Sequence, residues 1–183
     1  MSPAPIRFGT DGWRGVMADD FTAENVRRVA QATANYWLSQ RLSPRAIVGY
    51  DNRFQSDMFA RLVAEVFSGN GISVYLSSCP VPTPAVSFAI RDRKLCGGVM
   101  ITASHNPPVF NGYKVKAWYA GSADAEICAA IEQRLDKSPV RASPDRILQY
   151  DPRPAYRRAL EGLVDTTRIR KARLRVVTDS MHG

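Results

Sequence analysis

The stretch Thr102-Ala103-Ser104-His105-Asn106-Pro107-Pro108, followed by Asn111-Gly112-Tyr113-Lys114, brings a hydroxyl, an imidazole, an amide and an amine close together in sequence. These are the groups that nucleophilic and group-transfer chemistry needs: an oxygen that attacks, and neighbours that move a proton or offset charge. Cys96 to Thr102 is apolar and reads as a buried strand, which puts Ser104 just past its carboxyl end, where ligands bind in open α/β sheets. Pro107 pushes Asn106 toward extended dihedrals, and Pro108 stiffens the loop further. Asn111-Gly112 reads as a turn pair that returns the chain into a short strand from Tyr113 to Trp118, carrying Lys114. Phe8-Gly9-Thr10-Asp11-Gly12-Trp13-Arg14-Gly15 is a glycine-rich loop whose Arg14 offers a planar fork of donors suited to phosphate. Gly49-Tyr50-Asp51-Asn52-Arg53 closes another apolar run. Each of these alone also fits a plain polar loop or tight turn.

The elements that must position these residues follow from periodicity. Val26, Val29, Ala30, Thr33, Ala34 and Trp37 recur at steps of three and four and predict a helix over Thr22 to Arg41, with Thr22 as its cap and Glu24 at its positive end. Ala46 to Tyr50 predicts a short buried strand. A helix from Gln55 to Asn70 follows, with Phe59, Leu62, Val63 and Val66 inward and Gly71 as its stop. A strand over Ile72 to Leu76, a proline-stiffened connection, and helices over Ala85 to Arg93 and Ala123 to Lys137 complete the pattern. Strands alternating with helices predict an α/β layered sheet with helices on both faces. In such a fold the three loops converge on one edge.

The 183 residues suffice for one ordinary domain, or one domain and part of another. No apolar run is long enough to span a membrane, and Met1-Ser2-Pro3-Ala4-Pro5 lacks the basic flank and apolar core of an export signal, so a cytoplasmic protein is expected. Cys79, Cys96 and Cys128 are odd in number and widely spaced, which fits neither a disulfide framework nor a zinc site. The net charge of +8 is concentrated after residue 137, where nine Arg and one Lys face five acids. No aromatic-interleaved basic motif or recognition helix accompanies it, so an arginine-rich solvated surface, or one facing an acidic partner domain, is expected rather than a nucleic-acid site.

Together the serine stretch, the segment Phe8 to Gly15 with Asp19-Asp20-Phe21-Thr22 behind it, and Gly49 to Arg53 resemble three signatures of the α-D-phosphohexomutase family, in matching order. That family comprises phosphoglucomutases, phosphomannomutases and phosphoglucosamine mutases. The resemblance implies a domain I-like fold in which Ser104 carries a phosphoryl group. Phosphate then moves between the 1- and 6-positions of a hexose through a hexose 1,6-bisphosphate intermediate. It implies Mg²⁺ held partly by Ser104, through its oxygen or its phosphate, with the family's remaining Asp-x-Asp-x-Asp ligands absent from this sequence. It gives Lys114 the role of general acid or base, against a plain strand lysine reaching solvent, and Arg14 the role of holding phosphoryl oxygens. His105 either supports the loop or takes part in the proton path. Asn106 fixes loop geometry. Thr10, Asp51 and Arg53 stand behind these as phosphate-binding or supporting residues.

Residues 139–154 carry Pro139, Pro144, Pro152 and Pro154 with little apolar periodicity and read as a linker between a first domain at 1–138 and the start of a second at 155–183. In that last part Ala155 to Val164 reads as a helix and Leu174 to Asp179 as a buried strand. The expected protein is therefore the first part of a mutase, a fragment that folds but turns over little without the missing carboxyl-terminal domains. A non-catalytic module that binds sugar phosphate or a partner chain is the alternative. A serine hydrolase is disfavoured because no nucleophile-elbow pattern surrounds Ser104.

Overall fold

The computed structural model describes residues 6–9, 12–40 and 43–180. In chain order the elements are β1 (Trp13–Val16), α1 (Ala23–Ser39), β2 (Arg45–Tyr50), α2 (Ser56–Gly69), β3 (Ser73–Ser77), α3 (Thr83–Arg93), β4 (Gly97–Ile101), β5 (Phe110–Ala117), α4 (Ala125–Glu132), β6 (Ile147–Tyr150), α5 (Arg153–Glu161) and α6 (Thr166–Lys171). One six-stranded sheet runs β1-β5-β4-β2-β3-β6. Strands β4, β2, β3 and β6 are parallel, while β5 runs antiparallel to both β4 and β1.

Alternation along β2 sorts the two cores. Ala46 and Val48 join the larger cluster with α1, α2 and α4, and Ile47 joins Val86, Ala89 and Ile90 of α3 on the opposite face. The expected three-layer α/β arrangement, helices on both faces, is therefore what the chain forms. Helix α1 starts as expected: the Thr22 side chain accepts a hydrogen bond from the Asn25 amide at 3.2 Å. Trp13 stacks on Phe21 with ring centroids 4.7 Å apart, and Phe21 meets Phe59 of α2 edge-on at 4.8 Å. These contacts fix β1 against the main core.

Several expectations change. Trp13 to Gly15, expected within a loop, lie in β1, so Arg14 projects from a strand paired with β5. The Asn111-Gly112 pair lies inside β5 instead of forming a turn, and the bend comes earlier, where the Phe110 amide bonds to the Pro107 carbonyl at 3.0 Å. Gly112 is small for a different reason: a Cβ there would meet the Thr102 carbonyl at 2.5 Å and Arg14 Cγ at 3.1 Å. Residues 139–154, expected as a linker, contain β6, which pairs with β3 from Ile147 opposite Val74 to Tyr150 opposite Ser77. Arg93 of α3 sits between the rings of Tyr75 and Tyr150, at 4.8 and 4.2 Å from their centroids, a cation–π clamp on that edge. The strand expected over Leu174 to Asp179 is not formed. Val176 and Val177 are 71% and 96% exposed, and no described strand offers them a ladder. Helix α6 was not expected; Asp165 caps it by accepting from the Arg168 amide. Among the described residues no helix is long and apolar enough to cross a membrane, and no disulfide joins the three cysteines.

Candidate active site

After β2 the chain crosses through α2 to β3 on one side of it, and the next strand, β4, lies on the other side of β2. The loops leaving the carboxyl ends of β2 and β4 are therefore neighbours at the point where the strand order reverses, the position at which such sheets bind ligands. The β4 loop carries Ser104 and the β2 loop carries Asp51 and Arg53.

Ser104 is exposed and adopts φ 58°, the left-handed region that a residue with a side chain enters at a penalty of about 1–3 kcal/mol. Its amide donates to Thr102 Oγ1 at 2.9 Å, and its hydroxyl lies 3.4 Å from His105 Nδ1. Arg53 reaches across from the neighbouring loop. Its Nη1 donates to the carbonyls of Pro107 and Phe110 at 2.9 and 3.0 Å, and its Nη2 to those of Ser104 and Asn106 at 2.8 and 2.5 Å. Asp51 stands behind it: Oδ1 accepts from the Arg53 amide at 3.0 Å and from Ser56 Oγ at 2.8 Å, while Oδ2 lies 3.6 Å from Arg53 Nε. Asn111, fully buried, extends the network by donating to Ser56 Oγ at 3.0 Å. From β1, Arg14 Nη1 donates to Asn106 Oδ1 at 2.8 Å.

Lys114 lies deeper. It sits on β5 opposite Met100, on the sheet face that Arg14 and Gly112 share, and is only 7% exposed, so it is not a strand lysine with its head in bulk water. The structure thus joins Ser104, His105, Asn106, Arg14, Asp51 and Arg53 into one connected group, with Lys114 on the strand beneath. Thr10 falls outside the described residues.

Three contributors were not singled out from sequence as part of this group: Thr102, Ser56 and the side chain of Asn111. For Thr102 a signal existed, since a hydroxyl two residues ahead of an amide is the spacing of a local side-chain-to-backbone bond. Ser56 and Asn111 meet only through the tertiary fold.

The described residues do not make a magnesium shell. No group of three or more His, Cys, Asp or Glu is placed to hold a metal, and the carboxylate nearest in the network, Asp51, is engaged with Arg53 and Ser56. Ser104 offers one exposed oxygen.

A three-layer α/β domain with a strained, exposed serine over basic side chains at its switch point defines a class that the comparisons make specific. Residues 5–141 match the family described as phosphoglucomutase/phosphomannomutase, alpha/beta/alpha domain I. The chain belongs to this α-D-phosphohexomutase family, and residues 5–141 correspond to its amino-terminal domain. It is 40% identical to a probable phosphoribomutase of Schizosaccharomyces pombe over 71% of this chain and 24% of that protein. It is 42% identical to a probable phosphomannomutase of Haemophilus influenzae over 59% of this chain and 24% of the relative. The crystal structure of a putative phosphomannomutase from Thermus thermophilus superposes with a TM-score of 0.81 at 41% identity, covering 90% of this chain and 37% of that one. The chain thus spans between a quarter and two fifths of the length of these relatives.

Proposed function

We propose that this chain is the phosphoserine-bearing domain of a sugar-phosphate mutase that interconverts hexose 1-phosphate and hexose 6-phosphate through a bisphosphorylated intermediate. The observation that carries the reading is the exposed Ser104 hydroxyl, held at the switch point of the sheet in a backbone conformation that the surrounding polar groups enforce. Phosphoryl transfer needs in-line placement and charge neutralisation more than covalent help, and Arg14 is the cation at hand.

In the first half-reaction the bond from phosphorus to Ser104 Oγ breaks as one forms to the free hydroxyl of the sugar monophosphate. That hydroxyl gives up its proton to a base, for which Lys114 is our candidate. Ser104 Oγ takes up a proton as it leaves; in the second half it gives that proton up as it receives the bisphosphate's other phosphoryl group, and the sugar oxygen so released takes the proton held by Lys114. Arg14 steadies the phosphoryl oxygens. His105, 3.4 Å from the hydroxyl, either orients it or relays its proton. Thr10, Asn106 and Asp51 are supporting residues in this reading. Mg²⁺ belongs to it too, with Ser104 or its phosphate as one ligand, and when bound it supplies charge withdrawal at phosphorus. Its other ligands, like the remainder of the sugar site, would come from the parts by which the relatives exceed this chain. Three cysteines without a disulfide accord with a cytoplasmic setting.

Turnover is the test. The complete protein should interconvert glucose or mannose 1- and 6-phosphates, Ser104→Ala should abolish this, and the 183-residue chain alone should show little or none. Ribose phosphates belong in the same assay, because one relative is named a probable phosphoribomutase. Tight sugar-phosphate binding by the complete protein, with no interconversion of any of these sugars, would instead support a non-catalytic binding module.

A further inference from the structure

The two arginines at the site differ in how their donors are used. An arginine carries five N–H groups. All four on the Arg53 Nη atoms point at main-chain carbonyls of a single loop, those of Ser104, Asn106, Pro107 and Phe110, and Nε faces Asp51 at 3.6 Å. No fork of donors is left with which Arg53 can hold a phosphate. Arg14, by contrast, gives one Nη1 contact to Asn106 Oδ1 among the described residues.

We infer that Arg53, aimed by Asp51, is a positioning residue that holds the serine loop in its strained shape before any phosphate or sugar arrives, while Arg14 is the anion-facing cation. The link to catalysis rests on the mutase reading above; the claim about the loop does not.

The geometry supports this division in three ways. Two of the carbonyls held by Arg53 are those of Ser104 and Asn106 themselves, so Ser104, with its left-handed φ of 58°, is held at its carbonyl by Arg53 and at its amide by Thr102 Oγ1. Asn106 is gripped twice, its carbonyl by Arg53 and its side-chain amide by Arg14, which ties the loop to β1 as well as to β2. The relay Asn111–Ser56–Asp51 fixes the base of Arg53 from β5 and α2. Because every acceptor is a main-chain oxygen, the clamp depends on guanidinium shape rather than on charge alone. A lysine has three donors on one tetrahedral nitrogen and cannot reach four carbonyls spread along a loop.

Amide hydrogen exchange on the 183-residue chain tests the loop claim. The Ser104, Asn106 and Phe110 amides should exchange slowly in the wild type. In Arg53→Lys they should exchange at least about tenfold faster, with the β2 and β4 amides unchanged. Asp51→Asn should give a smaller acceleration at the same amides. It also keeps the claim testable if Arg53→Lys fails to fold. In the complete protein, Arg53→Lys should lower kcat about 100-fold with KM changed less than threefold, whereas Arg14→Lys should change both. Loop amides that stay protected in both Arg53→Lys and Asp51→Asn would overturn the inference. So would a loosened loop with undiminished kcat, since that is a merely structural arginine. If the wild type shows no mutase turnover, the functional reading fails, and the exchange data still decide whether Arg53 holds the loop.

Discussion

Around Ser104, the side chains of Thr102, Arg53, Asp51, Ser56 and Asn111 direct their hydrogen bonds at one short loop and the residues that brace it. Beyond β6, apolar side chains such as Leu163, Val176 and Val177 lie in solvent, and helix α5 touches the body mainly through Tyr156 against Phe88, with ring centroids 5.8 Å apart. One region is over-determined by contacts within this chain. The other carries a strand-like apolar pattern that no described element covers. Left-handed backbone occurs in both, at Ser104 (φ 58°) and at Arg173 (φ 47°), but among the described residues only the Ser104 loop is held by side chains from other elements.

The largest expected effect comes from cutting the support beneath the site. Phe21→Ala removes a fully buried ring between Trp13 and Phe59 and should destabilise the fold by about 3–5 kcal/mol, read as a shifted denaturation midpoint. Because β1 carries Arg14, the same variant should weaken phosphate binding at the site. Next in size, Thr102→Val deletes the oxygen that accepts from the Ser104 amide and should cost about 1 kcal/mol, with faster exchange at Ser104. Val177→Ser, in the contrasting region, should change stability by less than about 0.5 kcal/mol. Equal losses at Thr102 and Val177 would erase the comparison.

Smallest of all is an acid effect. Hydrogen bonds from Arg28 hold the Asp136 carboxyl below its ordinary range, and Arg153 lowers that of Asp151 to about 2. A carboxylate whose folded pKa is depressed stabilises the fold above its unfolded value of about 3.9, and this contribution fades as pH falls through the folded value. Both pairs are partly solvent-screened. A modest loss of thermal stability between about pH 4 and 2, reduced in Asp136→Asn, is therefore expected.

Much of the site was legible in sequence because its residues are short-range neighbours or sit at strand ends that apolar runs mark. The strand-end positions of Ser104 after Cys96 to Ile101, and of Asp51 and Arg53 after Ala46 to Tyr50, follow from the apolar runs, while their assignment to one site came from the family resemblance. The role of Arg53 as a clamp was not legible, since its four acceptors are backbone carbonyls some fifty residues away, and main-chain oxygens leave no trace in residue type. Strand β6 escaped because only Ile147 and Tyr150 of its four residues turn inward, amid prolines that read as linker. The pattern over Leu174 to Asp179 misled in the other direction: β-branched residues signal a buried strand only when a neighbouring strand is there to pair.

The central claim, that Ser104 is a phosphorus carrier, is tested most directly by intact-mass analysis and peptide mapping of the complete protein after exposure to hexose 1,6-bisphosphate. One phosphate increment mapping to Ser104, absent in Ser104→Ala and retained in Ser43→Ala, is the predicted result. An increment that survives Ser104→Ala, or a wild-type protein that never acquires one while turning over sugar phosphates, would contradict it.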